Sequence, residues 1–234
     1  MSSLSTNFLR RVLPVIFPCA IFLSGGAFAG CGDSPAAGVD WSKCEKRRLI
    51  LAGSDLSGGR FLSTDFGRSD LSRAKLTAAQ LSGASLDHAR LRGADLSRAR
   101  LDKVNGYRAD LTGARLMEAD LSKAEMTRAN LSLADLSGAQ LAKTDLGRVL
   151  LRGATLSRAN LANAEMSRAV LSDAKLAGAN LGGAHLFRAR LEGVDLSGTT
   201  GLTQAQLEAA CGNANTKLPS GLKRPASWPC APDD

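Results

Sequence analysis

His88 and His185 are the only imidazoles in the chain, and they lie far apart in sequence. Catalysis or metal binding by histidine needs partner groups at defined spacings, such as H-x-x-x-H, C-x-x-C or a nucleophile–base–acid set, and none of these patterns is present. Acidic side chains such as Asp55, Asp95, Asp135 and Asp195 are numerous but recur at a regular interval, as members of a repeat rather than of a site. The expectation is no catalytic residue, no metal ligand set, no cofactor and no small-molecule substrate, hence not an enzyme.

The remaining reactive side chains are five cysteines. Cys19 falls in an apolar stretch, 12–23, that follows Arg10 and Arg11 and precedes Ala27-Phe28-Ala29. A basic pair, a short apolar run and an A-x-A site describe a secretory leader, here residues 1–29. Pro14, Pro18 and the shortness of the run argue against a permanent membrane span. Cleavage leaves Cys31, Cys44, Cys211 and Cys230, an even number in a chain bound for an oxidising compartment. Of three connectivities the local pairs, Cys31 with Cys44 and Cys211 with Cys230, are preferred. Phe28-Ala29-Gly30-Cys31 also has the outline of a lipobox, so a membrane-anchored lipoprotein acylated at Cys31 stands beside a soluble periplasmic or secreted protein.

The elements that must position these groups come from an internal period. Hydrophobic residues make up 44% of the 234-residue chain but aromatics only 4%, so Leu and Ala supply nearly all of the core. Leu or an equivalent recurs every five residues from Leu51 to Leu196, as at Leu71, Leu76, Leu81 and Leu86, with a small residue two positions before it. Five matches neither the helical period nor plain strand alternation. On an extended backbone the Leu at position i and the small residue at i−2 share one face. An odd repeat would turn the next Leu outward unless the chain bends after each unit. Successive bends close a coil, whose leucines are buried only by coils above and below.

Ala94-Asp95-Leu96, Ala109-Asp110-Leu111, Ala119-Asp120-Leu121, Ala129-Asn130-Leu131 and Ala159-Asn160-Leu161 carry the pattern A-(D/N)-L-x-x. In this respect the chain resembles the pentapeptide-repeat family over residues 49–200. The resemblance implies an all-β fold: a right-handed quadrilateral parallel β-helix, a solenoid with four units per coil. About thirty units would make roughly seven and a half coils and a rod of ~36 Å at the spacing of paired strands. Residues 30–48 are expected to cap one end. Residues 201–234 are expected to cap the other, with a short helix over 203–210 started by Thr203 and Gln206 and ended by Gly212. Trp41 and Trp228 are expected to be buried in these covers. Gly106, where a Leu belongs, predicts a void or a shift filled by Tyr107, and Leu150 and Val170 occupy an outward position.

A period of twenty stacks Arg68, His88, Arg108, Arg128, Arg148, Arg168 and Arg188 at i+2 on one predicted face, and Lys103, Lys123 and Lys143 on another. Asp65, Glu125, Asp145 and Glu165, at i−1 of the first face, are expected to neutralise much of the row. Tandem duplication also accounts for it, since 124–129 and 164–169 are near copies. The net charge is +8, or +6 without Arg10 and Arg11. The family's best-known activity, protection of DNA gyrase by an acidic rod resembling duplex DNA, fits this balance and the leader poorly. The expected function is a non-catalytic exported scaffold that presents a rigid surface to a macromolecule, an envelope protein or an anionic polymer. The alternative is a polyanion-binding module using the Arg row. A terminal extension leaves both a homodimer and a simple cap open.

Overall fold

The computed structural model describes residues 30–230; the leader assigned to 1–29 lies outside them. From Asp40 onward, isolated parallel bridges join each i−1 residue to the residue twenty positions later, as in Asp40 to Arg60, Arg60 to Gln80 and so on to Thr200. Four ladders of this kind run side by side, one for each of the four units in a coil. The chain is therefore a four-sided parallel β-helix. Its first bridge falls within 30–48, so that segment contributes a coil of its own in addition to covering the end. The ladder from Asp40 to Thr200 has eight steps, ~38 Å at the spacing of paired strands.

One unit shows why five residues suffice. The amide of Leu71 donates to the carbonyl of Arg90 (2.7 Å), that of Arg73 to Arg92 (2.8 Å), and that of Lys75 back to Ser54 (2.9 Å). The amide of Ala74 closes a turn onto Leu71 (3.0 Å). That leaves the amide of Ser72, which donates to Oδ1 of Asp70 at 3.0 Å. Every backbone donor of the unit is thus satisfied, as a buried or half-buried backbone requires. The preference for Asp or Asn at i−1 follows: a short side-chain acceptor can reach the amide two residues on. The same bond recurs at Asp40, Asp95, Asn130, Asn160 and Asn180, among others.

The corner itself is a turn whose third residue, i+2, has a positive φ, as at Arg73 (58°) and Gly93 (63°), the signature of type II. Only small residues fit at i−2 against this bend, and Ala74, Ala79, Ala84 and Ala89 are completely buried beside Leu71, Leu76, Leu81 and Leu86. Where Thr64 or Thr144 replaces Ala, its hydroxyl donates to a carbonyl of the preceding coil, Trp41 (2.6 Å) or Leu121 (2.8 Å).

Gly106 does point inward, but Tyr107 does not fill its place. The thioether of Met126, one coil further, occupies the space where a side chain at 106 would begin. Tyr107 stays on the outside, edge-on to His88 with 5.7 Å between ring centroids. Met is unbranched and adapts to such gaps, whereas an outward i+1 position cannot turn into the coil without breaking the ladder.

Both ends are covered. At the first, Trp41 packs on Phe61 and Phe66 (5.8 and 6.3 Å between centroids), and the buried Lys46 lies over the Trp41 ring with its Nζ donating to the Cys31 carbonyl at 2.7 Å. Burial pushes the Lys46 pKa down. A disulfide joins Cys31 and Cys44, with 5.5 Å between α-carbons. At the other end helix α1, Gln204–Ala209, begins with a complete capping box between Thr203 and Gln206. Leu207 closes the core, and Gln206 Nε2 donates to the carbonyls of Leu181 and Ala184 (2.8 Å each), the second of which the amide of a further coil would have satisfied. The helix stops at Ala210 in extended backbone, not at Gly212. Gly212 serves packing instead: any side chain there would run into the ring of Trp228, which is buried with its Nε1 on the Ala210 carbonyl (2.7 Å). The chain then rejoins the ladder through Cys211 to Arg190 and Lys217 to Asp195, and a disulfide joins Cys211 and Cys230 (5.4 Å between α-carbons).

Candidate interaction surface

The basic row exists as a continuous edge. The amide of Arg68 donates to Asp87, that of His88 to Tyr107, Arg108 to Thr127, Arg128 to Gly147, Arg148 to Ser167 and Arg168 to Phe187, at 2.8 to 3.2 Å. Their backbones therefore stack one coil above another. Arg48 extends the row by one rung, its amide on Gly67 at 3.1 Å. It escapes a search for leucines five apart because its unit carries Lys46 inward; the only sequence signal is its place twenty residues before Arg68. With Arg188 the edge has seven steps, ~34 Å.

The row sits at a corner of the coil, not on a flat face, since i+2 is the third residue of each turn. All eight residues have φ between 53° and 61°. A left-handed backbone favours glycine, and each of the other three corners carries two or more glycines, for example Gly83 and Gly183, Gly53 and Gly93, or Gly58 and Gly138. This corner carries none. Arg68, Arg108, Arg128, Arg148 and Arg168 are exposed, and His88 is half-buried.

The expected neutralisation by Asp65, Glu125, Asp145 and Glu165 does not take the form of ion pairs. Asp65 pairs with Arg47 at 3.0 Å and accepts from the Gly67 amide. Asp145 accepts from the Gly147 amide and the Thr127 hydroxyl (2.8 Å). Glu165 accepts from the Ser167 amide and meets His185 Nδ1 at 3.1 Å. Among the described residues, no carboxylate comes within 4.0 Å of Arg48, Arg68, Arg108, Arg128, Arg148 or Arg168. The physical reason is geometric. The carboxylates of Asp65, Asp145 and Glu165 are bent toward the amide at i+1 of their own turns, away from the corner residue beyond them.

Other ladders treat charge differently. Asp55, Lys75, Asp95, Arg115 and Asp135 stack with alternating sign, bringing Lys75 to 3.9 Å from Asp55 and Arg115 to 3.9 Å from Asp95. Asp70, Arg90 and Asp110 alternate likewise, with Arg90 3.0 Å from Asp70. Hydrogen bonds from Ser42, Ser57, Ser72 and Ser197 hold the carboxyls of Asp40, Asp55, Asp70 and Asp195 below the usual range, Asp195 at about 2. At Asp95, Asp110 and Glu165 burial pushes upward, but bonds from Ser97, Thr112 and Ser167 outweigh it and the net direction is again down.

His88 bonds Asp87 through Nδ1 at 2.8 Å, and His185 bonds Glu165, so each has one carboxylate partner the sequence did not reveal. The two imidazoles stand about five rungs apart, ~24 Å along the rod. The Lys103, Lys123 and Lys143 row occupies the preceding corner, on the other side of the face that bears Asp65 and Glu125.

A family profile described as pentapeptide repeats matches the chain in eight copies, over residues 50–86, 69–105, 107–132, 134–173 and 164–200. No curated protein matches the chain. Among solved structures the chain is similar to HetL, a pentapeptide repeat protein involved in heterocyst differentiation regulation in the cyanobacterium Nostoc sp., at 32% identity over 79% of this chain and 85% of that one (TM-score 0.46). It is also similar to a pentapeptide repeat protein of the Arabidopsis thaliana thylakoid lumen, at 34% identity over 42% of this chain and 69% of that one (TM-score 0.42). QnrB1, a plasmid-mediated fluoroquinolone resistance protein, matches at 17% identity over 74% of this chain and 90% of that one (TM-score 0.37). With a coil of four five-residue units, a side-chain acceptor at i−1 and the repeat profile spanning well over half its length, this chain belongs to the pentapeptide repeat family.

Proposed function

We propose that the chain is an exported, non-catalytic scaffold: a right-handed rod that presents one of its long surfaces to a macromolecular partner in the periplasm or outside the cell. The observation that carries this reading is the closure of both ends. Trp41 with Lys46 at one end, and Leu207 with Trp228 at the other, cover the core under local disulfides, so the chemistry of the molecule lies along its corners and faces. Solenoids use such extended surfaces for binding. Export is supported by the leader pattern and by cysteines placed for two bridges, which persist in oxidising compartments. Engagement of Cys31 with Cys44 favours a soluble mature protein over one acylated at Cys31.

The test is expression of the full chain in a secreting bacterial host, with fractionation, intact mass and photo-crosslinking from probes at each of the four corners. The expected result is a periplasmic or secreted species cut after Ala29, four hydrogens lighter than its reduced form, with adducts from one corner. A cytosolic uncleaved protein, or no adduct from any corner, would overturn the reading.

A further inference from the structure

The stretch of the corner that carries Arg108, Arg128, Arg148 and Arg168 identifies its own ligand by charge, spacing and flank. We propose that it seats a linear acidic polysaccharide running along the rod axis, with carboxylates against Arg108, Arg128, Arg148 and Arg168 and sugar ring faces against Leu150 and Val170. This rests on the reading of the chain as an exported interaction rod and names the partner of that rod.

Like charges stacked on adjacent strands repel. Two ladders of this molecule avoid the problem by alternating sign, as at Asp55, Lys75, Asp95 and Arg115. The arginine corner repeats one sign at almost every rung and leaves Asp65, Asp145 and Glu165 bonded elsewhere. It also keeps a side chain at each left-handed position where the other corners insert glycine. Neither feature helps the coil to form. A polymer with one negative charge per unit would meet both.

The flank narrows the chemistry. The face that follows the corner carries the ladder Asp70, Arg90, Asp110, Asn130, Leu150, Val170. Its first half is filled by ion pairs, with Arg90 on Asp70 and Arg92 on Asp110. The stretch from Asn130 to Val170, before Arg190 pairs with Glu192 on the next rung, carries no acid on the ladder: Leu150 is 36% exposed and bridges Val170, and Leu133, 69% exposed, reclines over Gly153 of the next coil. The exposed Arg152 lies across this apolar floor from Arg148. A pyranose ring offers an apolar face with a carboxylate at its edge, which matches a floor of Leu and Val walled by guanidinium groups. A rung spacing of ~4.8 Å suits a polymer that places one carboxylate on every sugar.

Nucleic acid fits less well. Single strands are held by aromatic side chains on successive bases, and the corner offers Tyr107 and Phe187, four rungs apart and each already beside its own arginine. A duplex presents phosphates on a path that winds around its axis, whereas the residues of this row stack one coil above the next.

The experiment measures binding of the oxidised, processed protein to polygalacturonate, with a carboxylate on each sugar, to hyaluronan, with one on every second sugar, to neutral dextran and to single-stranded DNA. Polygalacturonate is expected to bind tightest, dextran not at all, and affinity to fall with salt. Replacing Arg128, Arg148 and Arg168 by Gln should weaken polygalacturonate about tenfold. Lys103→Gln, Lys123→Gln and Lys143→Gln, which remove the same charge from another corner, should change it less than about twofold. Leu150→Ser with Val170→Ser should weaken polygalacturonate but not hold DNA any less. Circular dichroism confirms that each variant keeps its coil.

Equal loss from the two triple variants would reduce the effect to net charge and overturn the proposal. Preference for DNA, or no discrimination between polygalacturonate and hyaluronan, would overturn it as well. Crosslinks from this corner to a protein, with no polysaccharide binding, would sink the ligand assignment while leaving the scaffold reading intact.

Discussion

Gly106 and Met126 hold the same inward position in successive coils, and the Met126 thioether occupies the volume that a side chain at 106 would need. The core at this level is thus shared between two rungs, one giving up its side chain to the other. Gly106→Leu restores the repeat in sequence but should overpack the coil, at a cost of about 1–3 kcal/mol by denaturant unfolding. Met126→Ala alone should cost about 2–5 kcal/mol by leaving a cavity. Combined, the two should cost much less than their sum; strict additivity would show that the positions do not share space.

The carboxylates at i−1 make stability acid-sensitive in a definite direction. Their folded pKa values lie below the ordinary 3.8, so they stabilise the coil fully above that value and cease to do so as pH falls through the folded values, about 2 for Asp195. The unfolding midpoint should be flat from about pH 7 to 5 and decline between about pH 4 and 2. Asp55→Asn and Asp70→Asn keep the acceptor for the Ser57 and Ser72 amides but cannot titrate, and should flatten the decline. A midpoint that rises on acidification contradicts the assignment.

Backbone conformation at the arginine corner ranks substitutions in advance. Arg128 has φ of 61°, and no β-branched residue stands at any of the left-handed corner positions. Arg128→Val should cost about 1–2 kcal/mol. Arg128→Asn and Arg128→Gly should stay within about 0.5 kcal/mol of the parent, because relief of strain and the extra freedom of the unfolded chain offset one another. Equal cost for Val and Asn in denaturant titrations would show that the corner does not constrain φ.

Each terminal cover should come loose without the rod. Reduction of Cys211–Cys230, or Cys211→Ala with Cys230→Ala, removes a nineteen-residue crosslink, about 3 kcal/mol in the chain-entropy picture. Gly212→Ala, which meets the rigid Trp228 ring, should act on the same cover. Because each coil contacts only its neighbours, hydrogen exchange should accelerate across 203–230 while amides of the central coils stay protected. Uniform acceleration along the whole chain would mean that the end cover controls global stability.

Much of this architecture was legible in one dimension. Leucines five apart, with Ala at i−2, leave a bending chain no other way to hide its apolar side chains, and with the four units per coil that the family resemblance implies, the twenty-residue stacking of Arg68 through Arg188 follows from arithmetic. Thr203 with Gln206 announced α1, because a capping box is a local device that needs no tertiary partner.

Other features needed the third dimension. Met126 rather than Tyr107 fills the gap at Gly106 because the competition is between residues twenty apart in sequence but adjacent along the axis. Gly212 yields to Trp228, and Arg48 joins its row behind an inward lysine, for the same reason. Most telling is the state of the acids beside the arginine corner. Composition places Asp65, Asp145 and Glu165 a few residues from it, and only the folded turn, by bending each carboxylate onto the amide two residues ahead, keeps them out of ion pairs with Arg68, Arg148 and Arg168. Periodicity thus determined that the chain coils and which residues face out, and the family resemblance set four units to a coil. The pairing of those outward charges was decided by turn geometry, because hydrogen bonds reach only as far as the folded backbone allows.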